Sequence, residues 1–172
     1  MDLTFLIELT LFILPAYFAN ASPVIFGGGV DALDFNIMFE GERLLGKGKT
    51  IRGFVSGLIT GFAVGIVIAL QPFYPFNLPF LVKVKIGFLL SLGALTGDLF
   101  GSFVKRRMHL KSGSPSFLLD QLPFIFFALI FAYTYTFSLS VTAWLYLIIL
   151  SISLHVIFNW LANKIGLKKV PW

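Results

Sequence analysis

Long apolar stretches, separated by short polar ones, run through most of the chain. A helix needs roughly 20 mostly apolar residues to cross about 30 Å of hydrocarbon. Five stretches meet this requirement, so the pattern predicts an all-α fold, an integral membrane bundle of five transmembrane helices forming a single domain over 1–172. The predicted spans cover about 3–22, 53–71, 84–104, 120–137 and 142–162.

Prolines mark several breaks in this pattern. Pro15 predicts a kink in the first span, because a proline inside a helix removes one hydrogen bond and crowds the preceding turn. Pro72, Pro75 and Pro79 predict that the chain leaves the helix after the second span. The two longest polar connections are the loops 23–52 and 105–119, and the first of these is rich in glycine.

The basic residues are distributed unevenly among the connections. Cytoplasmic loops of membrane proteins carry an excess of Lys and Arg, so the side with more of them is predicted to be cytoplasmic. Only Lys83 and Lys85 fall on the other side, which puts the N-terminus outside, the C-terminus in the cytoplasm and both long loops on the cytoplasmic face. The cytoplasmic set is Arg43, Lys47, Lys49, Arg52, Lys105, Arg106, Arg107, Lys111, Lys164, Lys168 and Lys169.

Composition supports a membrane protein and excludes some chemistry. Only 12% of residues are charged and 58% are hydrophobic, whereas soluble domains carry about 25% charged residues. The chain has no cysteine, which excludes disulfides, thiolate metal sites and cysteine nucleophiles. The first apolar run begins with Asp2 and contains Glu8, so it is predicted to be a retained helix and not a cleaved signal.

Glycines recur every four residues in two of the predicted spans. Small residues on one stripe let helix backbones approach closely inside a membrane. We therefore expect packing seams that hold the second and third spans tightly and keep their cytoplasmic ends rigid. The two stripes are Gly53, Gly57, Gly61 and Gly65 in the second span and Gly93, Gly97 and Gly101 in the third.

Two acids stand out near the cytoplasmic ends of the spans. Asp98, Ser102 and Lys105 share one face of the third span, and Asp98 lies roughly 9 Å inside its end. A carboxylate at that depth needs a partner, which could be a bound cation or an ion pair with Lys105 or a neighbouring Arg. Asp120 opens the fourth span, where it could cap the helix or share a divalent cation with Asp98.

The first loop ends in a basic, glycine-containing run, residues 43–53, just before the second span. It is not a nucleotide-binding P-loop, because the position five residues before Gly48 is Arg43 instead of glycine and no strand precedes it. Basic residues beside a helix start attract anions, and interleaved glycines suit a polyphosphate. The alternative is a cluster of charges that only orients the chain in the membrane.

Together these residues resemble a known family. The run Gly97–Arg106, followed by Asp120, is similar to the signature of the CTP-dependent phosphatidate cytidylyltransferases. The whole chain is closer to the short archaeal branch of that family, the CDP-archaeol synthases, through the blocks 15–24, 33–53 and 93–122. The chain departs from the family pattern at Glu42, Lys47, Ile51 and Gln121, where Arg, an acidic residue, Trp and Arg are expected.

The resemblance implies a reaction. CTP and 2,3-di-O-geranylgeranyl-sn-glycerol 1-phosphate would give the CDP-activated ether lipid and pyrophosphate, with Mg²⁺ as the cofactor. The expected partners are CTP, the ether-lipid phosphate acceptor and the bilayer, with no nucleic acid, and the oligomeric state stays open. The protein would be a multi-pass protein of the cell membrane with its active site on the cytoplasmic side. Because the lipid phosphate is the nucleophile, positioning and cationic stabilisation would supply the catalysis.

The resemblance also assigns residues. Asp98 and Asp120 would bind magnesium and, with Lys105, form the catalytic set. The residues expected to bind CTP or the lipid phosphate are Asn20, Arg43, Lys47, Lys49, Thr50, Arg52, Ser102, Lys105 and Arg106.

Two other functions are compatible with the composition. One is another interfacial transferase acting on lipids or lipid phosphates without CTP. The other is a small transporter or channel subunit with Asp98 as an intramembrane ion site. A conduction path needs polar groups on both sides of the membrane midplane, and the outer halves of the predicted spans have few of them.

Overall fold

The structure is a computed structural model that describes residues 2–114 and 116–166. Lys168 and Lys169, which contribute to the predicted charge distribution, lie outside the described residues. The fold is mostly helical. The helices are α1 (Leu3–Ala21), α2 (Pro23–Phe26), α3 (Ile51–Ala69), α4 (Phe80–Arg107), α5 (Phe117–Phe131), α6 (Tyr133–Thr136) and α7 (Val141–Lys164), and the strands are β1 (Met38–Phe39) and β2 (Glu42–Arg43).

Long helices that follow one another along the chain run in opposite directions. Gly57 of α3 packs near Leu95 of α4, and Gly65 packs against Gly87, so these two helices are antiparallel. Because of this alternation, the start of α3, the end of α4 and the start of α5 meet at one end of the bundle. We call it the polar end, since it also carries the loop 27–50 and the basic residues that close α4.

The outermost long helix, α7, runs parallel to α1 and so also ends at the polar end. The hydroxyls of Thr10 and Tyr146 lie 2.7 Å apart, and Tyr17 donates to Ser151 over the same distance. These side chains occur in the same order along both helices, which fixes their relative direction. Hydroxyl pairs of this kind hold helices together where lipid surrounds them and hydrophobic burial contributes little.

Four of the described helical segments are long and apolar enough to cross a membrane: 3–26, 51–69, 80–107 and 141–161. The fourth predicted span, 120–137, is shorter than expected, because α5 begins at Phe117 and already ends at Phe131. The buried Thr136 hydroxyl donates to the carbonyl of Leu129 at 3.0 Å, which stabilises the break between α5 and α6. The apolar segment therefore continues as a separate short turn and not as one straight helix.

The third predicted span is longer than its apolar stretch. Its helix, α4, begins at Phe80, directly after Pro79, and extends for 28 residues, or about 42 Å. Lys83 and Lys85, predicted to lie in a loop, are therefore in its first turns. Lysine tolerates this position because its alkyl stem covers apolar surface while the ammonium reaches water. α1 likewise continues through Pro15 to Ala21.

The two glycine stripes face different neighbours. The stripe of α3 packs on α1 and α4, where Gly61 lies against the Pro15 carbonyl and Ser91. The stripe of α4 packs on α5, so that Gly97 lies against Pro123 and Gly101 against the Leu119 carbonyl. Both stripes are packing seams. The sequence suggests that α4 packs most closely on α3, but its most extensive contact is with α5.

A small hairpin interrupts the otherwise helical fold. β1 pairs with β2 in antiparallel register, Met38 opposite Arg43 and Phe39 opposite Glu42. The turn needs a left-handed backbone at Glu40 and Gly41, with φ of 51° and 78°. The sequence analysis did not predict this hairpin, since two-residue strands leave no usable alternation of polar and apolar residues.

We expect Gly97→Ala to destabilise the bundle by about 1–3 kcal/mol, although alanine is the better helix former. A Cβ at this position would lie 2.2 Å from the Pro123 carbonyl oxygen, so α4 and α5 must separate. The check is the thermal unfolding midpoint in detergent. Gly48→Ala is the matched control, because a Cβ there meets nothing within 4 Å. Equal midpoints for the two variants would contradict the tight seam.

Candidate active site

Lys49 and Asp98 form the first ion pair at the polar end. Lys49 Nζ lies 2.5 Å from Asp98 Oδ2, and both side chains are partly exposed. The Lys49 carbonyl accepts a hydrogen bond from the Leu33 amide at 2.9 Å, which fixes this part of the loop across α4. Asp98 thus obtains its counter-charge from the loop, and not from Lys105 or a neighbouring arginine, which are the ion-pair partners expected from the sequence.

Lys105 and Asp120 form the second ion pair. Lys105 Nζ donates to Asp120 Oδ1, and the other carboxylate oxygen accepts from the Ser116 amide at 2.8 Å. Ser116 is the N-cap residue of α5, and its own side chain makes no capping bond. Asp120 therefore does part of the work of a helix cap, while its carboxylate also faces the end of α4.

The contact between α4 and α5 places the two acids at about the same level of the bundle. Gly101 lies against the Leu119 carbonyl and Gly97 against Pro123, so residues 97–101 and 119–123 share one level of the bundle. Asp98 and Asp120 belong to these two segments, on adjacent helices. Two carboxylate–lysine ion pairs thus lie at the polar end, and each of the two acids is held by a different lysine.

The donor set fits a hard divalent cation that is completed by a substrate. Among the described residues no group of three or more acidic or histidine side chains could hold a metal alone. Magnesium usually takes one or two protein carboxylates, and substrate phosphates and water supply the remaining oxygens. Asp98 and Asp120 are oxygen donors of this kind, so a cation here would depend on phosphate oxygens as well.

Arg106 supplies a different kind of positive charge. Only 5% of this residue is exposed, and its Nε has no hydrogen-bond partner among the described residues. It lies beside Gly46, where a Cβ would come 3.5 Å from Arg106 Nε and 3.3 Å from the Ser112 hydroxyl. A buried guanidinium without an acidic partner is costly. Arg106 is therefore a candidate for binding an anion.

An internal ion pair fixes the loop that carries Lys49. The Asp34 side chain is fully buried, and Arg43 Nη2 lies 2.5 Å from its Oδ1. The amides of Leu45 and Asn36 donate to the same carboxylate at 3.0 and 3.2 Å. Burial opposes ionisation, but the hydrogen bonds from Arg43 and the two amides outweigh it and hold the pKa of Asp34 below its usual value. Arg43, predicted to bind substrate, is thus engaged within the loop.

Arg107 ties the hairpin to the end of α4. Its guanidinium donates to the carbonyls of Phe39 and Arg43, the latter at 3.3 Å, and lies 3.4 Å from Glu40. It also stacks over the Phe39 ring, 4.9 Å from the centroid. From the sequence, Arg107 is only one of the basic residues that orient the chain in the membrane. No local signal connects it with a hairpin more than sixty positions away.

The other predicted substrate residues are also at the polar end. Thr50 caps α3, accepting from the Gly53 amide at 3.1 Å and donating to the Gly28 carbonyl at 2.8 Å. Lys47 and Arg52 are exposed and form no ion pair with any described residue. Asn20 is half-buried near the end of α1, and Ser102 is buried on α4. The structure therefore places these residues at the polar end, and it gives Thr50 and Arg43 structural partners.

From the sequence, no site role falls to three of the side chains that shape this end: Asp34, Arg107 and Gln121. Gln121 is 5% exposed, and its Oε1 has no partner among the described residues. Its position next to Asp120 was the available signal, since a buried amide beside a site carboxylate needs a partner. Asp34 gave no such signal, because its role depends on a contact with the hairpin.

An apolar groove of about 450 Å³ lies between α4, α5 and α7. Phe100, Leu122 and Pro123 line it at about the same level along the bundle as Asp98 and Asp120. The groove has almost no polar lining, as a hydrocarbon chain requires. Its further walls are Ile125, Phe126, Phe127, Leu129, Trp144 and Ile148.

Comparison with known proteins identifies relatives that match this sequence over nearly its whole length. The family model "CarS-like: CDP-archaeol synthase" matches residues 2–172. The chain is 45% identical to the CDP-archaeol synthase of Pyrococcus horikoshii over the full length of both chains. It is 48% identical to that of Thermococcus kodakarensis, over 94% of this chain and 93% of the relative.

A solved structure shares both fold and sequence. It is described as "Structural insight into an intramembrane enzyme for archaeal membrane lipids biosynthesis". The TM-score is 0.80 and the identity 35%, with 90% of this chain and 94% of the other covered. The similarity therefore extends over most of both chains.

We expect Asp34→Asn to lower the free energy of unfolding by roughly 3 kcal/mol, because the Arg43 charge loses its buried partner. The pKa of Asp34 is held below 3.8. Its ion pair therefore stabilises the fold above that pH, and the stabilisation is lost as the pH falls through the lowered value. Thermal unfolding from about pH 3 to pH 7 should show this acid-dependent loss in the wild type and not in Asp34→Asn. Asp31→Asn, at an exposed position of the same loop, is the control, and parallel curves for wild type and Asp34→Asn would contradict the assignment.

Proposed function

The chain belongs to the CarS-like CDP-archaeol synthase family, and we propose from this membership and the geometry above how it works. It is a CTP-dependent cytidylyltransferase that forms CDP-archaeol and pyrophosphate from CTP and 2,3-di-O-geranylgeranyl-sn-glycerol 1-phosphate. The observation that carries the residue assignment is the pairing of Asp98 with Lys49 and of Asp120 with Lys105 at the same end of the bundle.

The reaction needs no nucleophile from the protein. An oxygen of the lipid phosphate attacks the α-phosphorus of CTP, a new phosphoanhydride bond forms, and the bond to the β-phosphate breaks. Pyrophosphate leaves with the electron pair, so atoms and charge balance without a proton transfer. The obstacle is the approach of two anions, and fixed cationic groups lower it by holding both phosphates and the developing charge.

Asp98 and Asp120 would hold magnesium, which when bound supplies charge neutralisation at the phosphates. The ammonium groups of Lys49 and Lys105 each lie on one of these acids and are within reach of phosphate oxygens that approach the same carboxylates. Exchange of partners, acid to cation and lysine to phosphate, keeps every buried charge compensated. Lys105 would then act as a catalytic residue together with the two acids.

The remaining cationic groups divide by their surroundings. Arg106 is buried and unpaired among the described residues, which suits a fixed phosphate contact. Lys47 and Arg52 are exposed on the loop and the first turn of α3, where a soluble triphosphate arrives. Asn20 and Ser102 offer polar contacts to the nucleotide or the metal shell. Arg43, held by Asp34, would act by positioning the loop and not by direct contact.

The lipid enters from the other side. The apolar groove between α4, α5 and α7 lies at the level of both acids along the bundle and has the lining that an isoprenoid chain needs. A phosphate at the mouth of this groove and a triphosphate on the loop would meet at Asp98 and Asp120. The lipid-facing groove and the charged loop are thus on opposite sides of one reaction centre.

The same arrangement supports a topology in the membrane. The polar end carries most of the basic residues, and CTP is a cytoplasmic solute, so this end would face the cytoplasm. The chain is a multi-pass membrane protein. α5 with α6 would be a fifth crossing beside the four longer segments, which puts the N-terminus outside and the C-terminus inside.

The direct test is to incubate purified protein with labelled CTP, magnesium and the ether-lipid phosphate. We expect labelled CDP-lipid and pyrophosphate in equal amounts, and absence of the CDP-lipid would end the proposal.

Lys49→Ala should raise the KM for CTP roughly tenfold, because one charged hydrogen bond is lost. The KM for the lipid should change less. Lys111→Ala, an exposed base on the same end, is the control and should change neither. A larger rise in the KM for the lipid would reassign Lys49 to the lipid phosphate.

A further inference from the structure

A run of apolar side chains is exposed in the loop, outside the helices that could cross a membrane. Phe35 is 74% exposed, Met38 59% and Ile37 53%, and Phe39 is also exposed. The reaction proposed above uses none of them. Large apolar side chains clustered on a polar loop mark a surface that contacts something apolar.

The backbone presents these side chains at a cost. Phe35 and Asn36 have φ of 48° and 61°, a left-handed conformation that is uncommon for a bulky aromatic residue. The turn is held by the Ile37 amide, which donates to the Asp34 carbonyl at 2.8 Å, and by the Asn36 amide, which donates to the Asp34 carboxylate. A strained turn that keeps a phenylalanine exposed is unfavourable in water, so an apolar surrounding would explain its geometry.

The position of this segment along the bundle indicates which surrounding. Between the lysines at its start and the bases at its end, the apolar part of α4, 86–104, is about 28 Å long, close to the thickness of the hydrocarbon layer. Phe103 lies at the end of that stretch, and the Phe39 ring is 6.5 Å from the Phe103 ring. The hairpin therefore lies at the level where hydrocarbon gives way to headgroups.

We propose that residues 35–39 form a membrane-contact surface that inserts into the interfacial layer of the leaflet at the polar end. These side chains would contact the boundary between lipid headgroups and chains, where aromatic side chains are favoured. Arg107, stacked on Phe39, places a guanidinium beside that surface and would face headgroup phosphates. The hairpin would thus add a lipid contact beside the charged site, independent of which lipid reacts there.

The absence of native cysteine allows a direct test. Ile37→Cys and Met38→Cys place a single thiol on the proposed surface, and Lys111→Cys places one on an exposed position of the other loop at the same end. Each variant is labelled with an environment-sensitive fluorophore and reconstituted in phosphatidylcholine vesicles containing a lipid with a nitroxide near its headgroup. We expect the nitroxide lipid to quench the Ile37→Cys and Met38→Cys labels more strongly than the Lys111→Cys label, with iodide in the water giving the opposite order.

Two other outcomes would overturn the proposal. If iodide quenches all three labels equally and the nitroxide lipid does not distinguish them, the segment faces water. If the Ile37→Cys label is shielded from both quenchers and the shielding grows with the ratio of protein to lipid, a second copy of the chain covers the surface. CTP turnover of each labelled variant verifies that it is folded, since none of these positions belongs to the proposed catalytic machinery.

Discussion

The close approach of α4 to α5 is the constraint on which the site depends. At Gly93, Gly97 and Gly101 the backbone of α4 touches that of α5 so closely that a single added carbon would collide with main-chain atoms. Side-chain packing alone would leave the helix axes farther apart. Because Asp98 follows Gly97 on α4 and Asp120 follows Leu119 on α5, the spacing of the two helices decides whether both carboxylates can serve one centre.

Charge compensation explains how two acids persist at that depth. A carboxylate without a partner near a membrane interior loses its ionised form or destabilises the helix that carries it. Here the loop contributes Lys49 and the end of α4 contributes Lys105, so each acid is neutralised from a different element. The Asp34–Arg43 pair and the bonds of Arg107 in turn hold the loop and its hairpin against α4. A lysine that can be exchanged for a cation leaves the site able to accept both metal and phosphate, whereas Arg106 stays buried as a permanent positive charge.

Much of this organisation could be predicted from the sequence, because hydropathy and spacing are local. The apolar stretches located the long helices, the glycine stripes indicated seams, and the basic residues indicated a single charged end. The end of α5 at Phe131 could not be predicted, because Ala132 and the residues after it carry no helix-breaking signal. The break depends on the hydrogen bond from the Thr136 hydroxyl to the Leu129 carbonyl. The choice of partner for Asp98 was also out of reach, because Lys49 is brought to it by the fold of a loop. Family resemblance supplied the chemistry, while the ion pairs needed the structure.

The central claim is that Asp98 and Asp120 share one divalent cation. The most direct measurement is binding of Mn²⁺, a paramagnetic substitute for Mg²⁺, to the purified chain with a non-hydrolysable CTP analogue, followed by electron paramagnetic resonance. We expect one bound Mn²⁺ per chain, with affinity weakened at least tenfold, about 1.4 kcal/mol, in both Asp98→Asn and Asp120→Asn and unchanged in Asp31→Asn. Full affinity in either site variant, with that variant folded, would show that the two carboxylates do not hold the same ion.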